Sequence, residues 1–146
     1  MDKTELVQLV KTKLADKASN LEKLIRQTQE SNSETKSSMG DKYETSREMI
    51  QQEINNLQRQ LNECLEQQNS VTKLITESCT EVKLGAVAET NLGFFYVATS
   101  VGVISLGSMK IHTVSTESPI AKAMNGKNKG ETFTMNGALQ TLKNIY

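Results

Sequence analysis

Ser38-Met39-Gly40-Asp41-Lys42-Tyr43-Glu44-Thr45-Ser46 separates two long stretches of helical periodicity. Gly40 is the one glycine in residues 1–77, and Gly-Asp-x-x-Glu sets two carboxylates three residues apart just after it. If the flanking helices pair, this segment is the exposed tip of a helical hairpin. Before it, Val7, Val10, Leu14, Leu21, Leu24, Ile25 and Thr28 step by threes and fours once Lys17 or Ala18 fills one slot. That spacing is a seam for a partner helix. Past Thr28 the same register meets Ser31, Thr35 and Ser38, so the seam thins towards the tip. After it, Tyr43, Arg47, Ile50, Ile54, Leu57, Leu61, Cys64, Gln68, Val71 and Ile75 alternate steps of four and three. Each arm is about 34 residues and, at roughly 1.5 Å per residue, reaches about 50 Å. Matched arms around one glycine favour an intramolecular antiparallel hairpin in a monomer. The heptads alone also allow a parallel dimeric coiled coil, but a continuous dimer has no use for a break at Gly40.

Composition changes sharply beyond the second arm. Residues 78–146 hold seven of the eight glycines, the only proline and all three phenylalanines. A helical segment over 1–77 followed by a strand-rich domain over 78–146 is the expected organisation, an α+β fold. Val82, Leu84, Ala86 and Ala88 alternate with polar residues as a half-buried strand does. Phe94–Thr99, Val101–Leu106 and Met109–Val114 read as further strands. Ser118-Pro119 opens a short helix, with serine at the N-cap and proline in the first turn, and Gly126 ends it. Glu131–Met135 and the last run are joined by Asn136-Gly137, a strong hairpin signal. Leu139, Leu142 and Ile145 also fit a helix; the hairpin context makes the run a strand. The expected product is a small antiparallel sheet with one helix packed across it.

The 17 basic and 17 acidic residues cancel. That argues against nucleic-acid binding through bulk phosphate neutralisation. The first twenty residues are charged and lack the apolar core of a signal peptide. Leu92–Gly107, the least polar run, is too short and too broken by hydroxyl residues to span a bilayer. Cys64 and Cys79 have neither metal-ligand nor redox-pair spacing, so a reducing cytoplasm is the simple expectation. His112, the only histidine, has no Ser/Asp or Cys arrangement near it and reads as structural.

Two separate motifs carry a resemblance. Gly40-Asp41-x-x-Glu44 at a hairpin tip resembles that of the Gre-type bacterial transcript cleavage factors. Ser118-Pro119-Ile120-Ala121-Lys122-Ala123-Met124-x-Gly126-Lys127-x-x-Gly130 is similar to a segment of the same family's FKBP-like C-terminal domain. The order of rod, tip and body also matches over nearly the whole chain. The resemblance implies that the hairpin enters the secondary channel of RNA polymerase while the C-terminal domain docks at the channel rim. It implies that Asp41 and Glu44 help the polymerase hold a Mg²⁺ ion and a water, so that backtracked RNA is cleaved near its 3′ end. The factor then completes an active site that the polymerase owns. The chain departs from the family tip in reading Thr45, Ser46 and Arg47 after the glutamate, with Tyr43 inside the acid spacing. Those departures leave room for a non-cleaving channel binder that regulates or inhibits the polymerase.

The chemistry of the tip is consistent with either a ligand or a cap. Mg²⁺ takes hard oxygen donors and is commonly held by one or two carboxylates plus substrate oxygens and water. Acids at i and i+3 lie on one side of a helical turn and can face one ion. They also suit a helix N-terminus on their own, with Asp41 as N-cap and Glu44 at the capping-box position. Lys36, Lys42 and Arg47 near the tip can contact RNA phosphates or form a solvated face, and Tyr43 can stack on a base or start the seam. Ser118, Pro119, Ile120, Lys122 and Lys127 are the candidate docking residues, although Ile120 also suits a core. Lys122, Lys127 and Lys129 fit an acidic partner surface or plain solubility. A peptidyl-prolyl isomerase, the third reading, needs an aromatic-lined pocket, and the chain has no Trp, three Phe and three Tyr.

Overall fold

The computed structural model describes the backbone of residues 1–36 and 42–146 and the side chains of residues 1–31 and 46–146. Helix α1 spans Lys3–Lys36 and helix α2 spans Lys42–Val71. Six strands and a short helix follow: β1 Val87–Thr90, β2 Gly93–Ala98, β3 Val103–Leu106, β4 Met109–Ser115, α3 Pro119–Met124, β5 Thr132–Met135 and β6 Ala138–Ile145. Two helices followed by a six-stranded sheet with one short helix is the α+β class expected from the composition change. The chain forms two compact units, Leu14–Gln68 and the combination of Met1–Lys13 with Asn69–Tyr146.

In the Leu14–Gln68 unit the predicted seams are the buried faces. Leu14, Ala18, Leu21 and Ile25 are buried on α1, and Ile54, Leu57, Leu61 and Cys64 on α2. The Cys64 thiol donates to the Leu14 carbonyl at 3.2 Å, which fixes where the two helices meet. Leu14 lies 22 residues before the end of α1 and Cys64 lies 22 residues after the start of α2. Each stretch rises about 33 Å. The six residue steps from Lys36 to Lys42 reach at most about 20 Å. Side-by-side contact at Leu14 and Cys64 together with so short a connection requires the helices to run antiparallel. Exposed faces are tied locally, as in the i,i+4 amide pairs Gln51–Asn55 at 3.1 Å and Gln58–Asn62 at 3.2 Å. Leu24, placed on the seam by spacing, is 46% exposed, because Ile25 takes the inward position beside it.

The second helix is shorter than its hydrophobic pattern. Lys73 N donates to Ser70 O and Leu74 N to Val71 O, so the last turn tightens to i→i+3 bonds and stops. Ile75, the last predicted seam residue, therefore lies outside the helix.

The sheet order is β3-β4-β2-β1-β6-β5. Its pairings are antiparallel except β2 with β4, which is parallel, so the sheet is mixed where an antiparallel one was expected. Thr113 accounts for the difference. Its hydroxyl accepts from Val101 N at 2.8 Å and donates to Gly102 O at 2.7 Å, while its own N–H bonds Gly102 O at 3.0 Å. The chain leaving β2 is thus pinned across β4 and lays β3 on its far edge. Asn136 and Gly137 both have positive φ, 52° and 78°, as a two-residue hairpin turn between β5 and β6 requires.

One face of the sheet packs on α3 through Ala88, Val97, Ile120, Ala121, Met124, Phe133 and Leu142. The opposite face is buried too: Val87, Tyr96, Ile104 and Ile111 are at most 2% exposed. The same unit contains the buried Leu6, Val10 and Val71, apolar residues available to cover that face. Burial on both faces explains why Ala86, Val87 and Ala88 are consecutively buried rather than alternating. Strand β1 begins at Val87, later than the predicted run; Val82 is buried without belonging to a strand.

Candidate functional site

The tip residue Asp41 and the side chains of Lys36, Lys42, Tyr43 and Glu44 lie outside the described residues. Backbone bounds put Lys36 at the end of α1 and Lys42, Tyr43 and Glu44 at the start of α2. Arg47, one turn further, is half-buried. The chemistry of the two acids, hard anionic oxygens, fits Mg²⁺. Among the described residues no group of three His, Cys, Asp or Glu side chains is arranged to hold a metal.

The second candidate region is the segment around α3. Ser118 has extended backbone, φ −66° and ψ 148°, and its Oγ accepts from Ala121 N at 3.3 Å. The same hydroxyl donates to Ser115 O at 2.8 Å, so it closes the turn between β4 and α3. Pro119 is exposed in the first turn, where its missing N–H costs nothing. Ile120 is core: it is 9% exposed and packs with Met124, Phe133 and Leu142. Lys122 is exposed and pairs with Glu117 at 3.5 Å, a surface ion pair of small energetic weight. Lys127 is half-buried. Its carbonyl accepts from Val82 N at 2.9 Å, and neighbouring Gly126 N donates to Val82 O at 2.8 Å. The segment therefore presents Pro119, Lys122 and Lys127 outward on a base held by Ser118, Ile120 and Val82. Lys129 is exposed nearby.

His112 is exposed and stacks on Phe95, with ring centroids 5.5 Å apart and planes at 26°. That contact agrees with a structural reading. An apolar hollow lined by Ser70, Val71, Leu74, Leu84, Ala98 and Thr99 has no aromatic wall, unlike the pocket that a prolyl isomerase needs.

One buried polar cluster has no signal in the sequence. Lys3 is 3% exposed, and its amine donates to Glu77 O at 2.6 Å, to Cys79 Sγ at 3.4 Å and to Tyr146 O at 3.3 Å. Tyr96 is fully buried, and its hydroxyl has no hydrogen-bond partner among the described residues. Burial, and secondly the Cys79 thiol, push the Tyr96 pKa up to about 12. Separations of 76 and 17 residues from Cys79 hide this grouping from any motif search.

Comparison with known proteins gives a structural likeness. No family model matches the chain, and no curated protein matches it. The chain is similar to a solved structure of the transcription factor Gfh1, with 15% sequence identity and a TM-score of 0.39, over 94% of this chain and 94% of that one. No helix among the described residues is long and apolar enough to cross a membrane.

Proposed function

We propose that the chain is a Gre-like accessory factor of RNA polymerase, and that Asp41 and Glu44 act at its tip. The observation that carries this reading is the co-occurrence of two family-like motifs on suitable elements. Gly40-Asp41 belongs to the connection between two antiparallel helices with Glu44 in the first turn of the second, and Ser118-Pro119-Ile120-Ala121 forms a capped helix seated on the sheet. The hairpin would enter the polymerase's secondary channel, and the sheet domain would dock at its rim. Two carboxylates make an incomplete metal site, which suits a factor that shares Mg²⁺ with its partner. A bound Mg²⁺ would supply Lewis-acid stabilisation of phosphoryl oxygens. Asp41 and Glu44 would hold it, while Lys36, Lys42 and Arg47 would face the RNA phosphates and Tyr43 a base near the 3′ end.

Docking would use Pro119, Lys122 and Lys127, with Ser118 and Ile120 shaping the segment from beneath. A direct test measures binding of the full chain to purified bacterial RNA polymerase. Lys122→Glu with Lys127→Glu should weaken binding at least tenfold without loss of helix content. Unchanged affinity would move docking elsewhere. Thr45, Ser46 and Arg47 after Glu44 favour, as a second reading, a channel binder that blocks rather than stimulates cleavage. Binding without any gain in RNA cleavage would select it.

A further inference from the structure

Lys3 and Cys79 bring an amine and a thiol together inside one compact unit, which also buries the Tyr96 hydroxyl. Nothing in the proposed polymerase chemistry employs this pair. The Lys3 nitrogen and the Cys79 sulfur are already in contact at 3.4 Å. The amine is held there by the main-chain oxygens of Glu77 and Tyr146. The other cysteine is a natural contrast. Cys64 is also buried, but its thiol donates to the Leu14 carbonyl and, among the described residues, no amine hydrogen-bonds it.

We propose that Lys3 and Cys79 form a modification site at which a peroxide-class oxidant drives a covalent nitrogen–sulfur bond between the two side chains. In the first step hydrogen peroxide oxidises the Cys79 thiol to a sulfenic acid and is reduced to water. The sulfur loses two electrons and the peroxide O–O bond breaks. In the second step the Lys3 lone pair attacks the sulfenic sulfur. The N–S bond forms, the S–O bond breaks, and the hydroxide leaves as water with a proton taken from the amine. The ammonium's other departing proton passes to solvent. Condensation of a sulfenic acid with a backbone nitrogen is an established branch of cysteine oxidation, and here the Lys3 amine takes the place of that nitrogen.

One feature favours this course over continued oxidation. The amine sits against the sulfur, so trapping is intramolecular and needs little movement. The Tyr96 hydroxyl is a second buried polar group of the same unit, with no hydrogen-bond partner among the described residues. Cys79 itself lies in the segment between α2 and β1. Apart from the isolated Glu81–Asn128 bridge, this segment belongs to no helix or strand, and local opening would admit a small oxidant. The bond would tie the first turn of α1 to the segment ahead of β1.

The test treats the full chain with dilute hydrogen peroxide, digests it without reductant and maps the peptides by tandem mass spectrometry. The expected product is a Lys3–Cys79 cross-linked pair about 2 Da lighter than its two parts, cleaved by dithiothreitol. Lys3→Arg keeps the charge but removes the nucleophilic amine. In that variant the cross-link should disappear and a sulfenic-acid probe should label Cys79. The wild-type measurement stands even if the variant folds poorly. Cys79 recovered as sulfinic or sulfonic acid with Lys3 unmodified would overturn the proposal. So would oxidation confined to Cys64, or a disulfide between the two cysteines.

Discussion

Gly85→Ala tests how the segment leaving α2 is seated against the sheet. Gly85 has φ +94°, and a Cβ there would lie 2.6 Å from Ile75 Cγ1 and 3.3 Å from Ile75 O. The left-handed backbone costs a non-glycine residue about 1–2 kcal/mol. Ile75 is 40% exposed, so its side chain can turn away at an off-rotamer cost of about 0.5–1.5 kcal/mol. Its carbonyl can give only a few tenths of an ångström. The expected destabilisation is about 2–3 kcal/mol, a fall in Tm of roughly 5–10 °C for a chain of this length. Gly137→Ala is the control: φ is +78°, but nothing lies within 4 Å of its Cβ. It should lose only the backbone part. Urea unfolding of Gly85→Ala, Ile75→Ala and the double variant isolates the contact, and the coupling should be about 1 kcal/mol. If Gly85→Ala costs no more than Gly137→Ala, or costs the same with and without the Ile75 side chain, the described packing is wrong.

Tyr96→Phe removes a buried hydroxyl with no partner among the described residues, so stability at neutral pH should hold or rise by about 1 kcal/mol in urea unfolding. In the unfolded chain a tyrosine loses its proton near pH 10, whereas folded Tyr96 holds it to about 12. Its contribution is therefore full below pH 10 and is lost as pH rises to about 12, with a slope of at most about 1.4 kcal/mol per pH unit. The phenylalanine variant should lack that component of the alkaline loss. Ser118→Ala removes both the bond from Ala121 N and the bond to Ser115 O and should cost about 1–2 kcal/mol by thermal unfolding, with Ser118→Asp recovering only the cap to Ala121 N, since a carboxylate cannot donate to Ser115 O. Spin labels at Lys17 and Asn62 should report a separation of roughly 10–20 Å that survives dilution with unlabelled chain, because antiparallel helices pack about 8–10 Å apart. A signal lost on dilution would mean pairing between chains.

Periodicity made the helices legible because one face of each is buried along a continuous stripe. Leu14, Leu21, Leu57 and Leu61 could be placed inward from spacing alone. The stop after Val71 could not, since the pattern runs on to Ile75 and no glycine or proline marks the end. Turn chemistry located Asn136-Gly137 and Ser118-Pro119 because both depend on local backbone geometry. The parallel pairing of β2 with β4 was hidden because it depends on Thr113 reaching back eleven and twelve residues to Gly102 and Val101. Ile120 looked suited to either docking or core, and its neighbours Phe133 and Leu142, far along the chain, decide for core. Lys3 was illegible for the same reason: only tertiary packing brings it to Cys79.

Cleavage of backtracked RNA by stalled RNA polymerase complexes, with and without the full chain, tests the role of the tip most directly. The variants are Asp41→Asn and Glu44→Gln, which keep size and capping ability but remove the charge that a hard cation requires. Wild type should accelerate cleavage above the polymerase's own rate. Each neutral variant should bind the polymerase as tightly and lose most of that acceleration. The double variant should be little worse, because groups that act as a unit are not additive. Wild-type cleavage matched by both neutral variants would contradict the role given to Asp41 and Glu44.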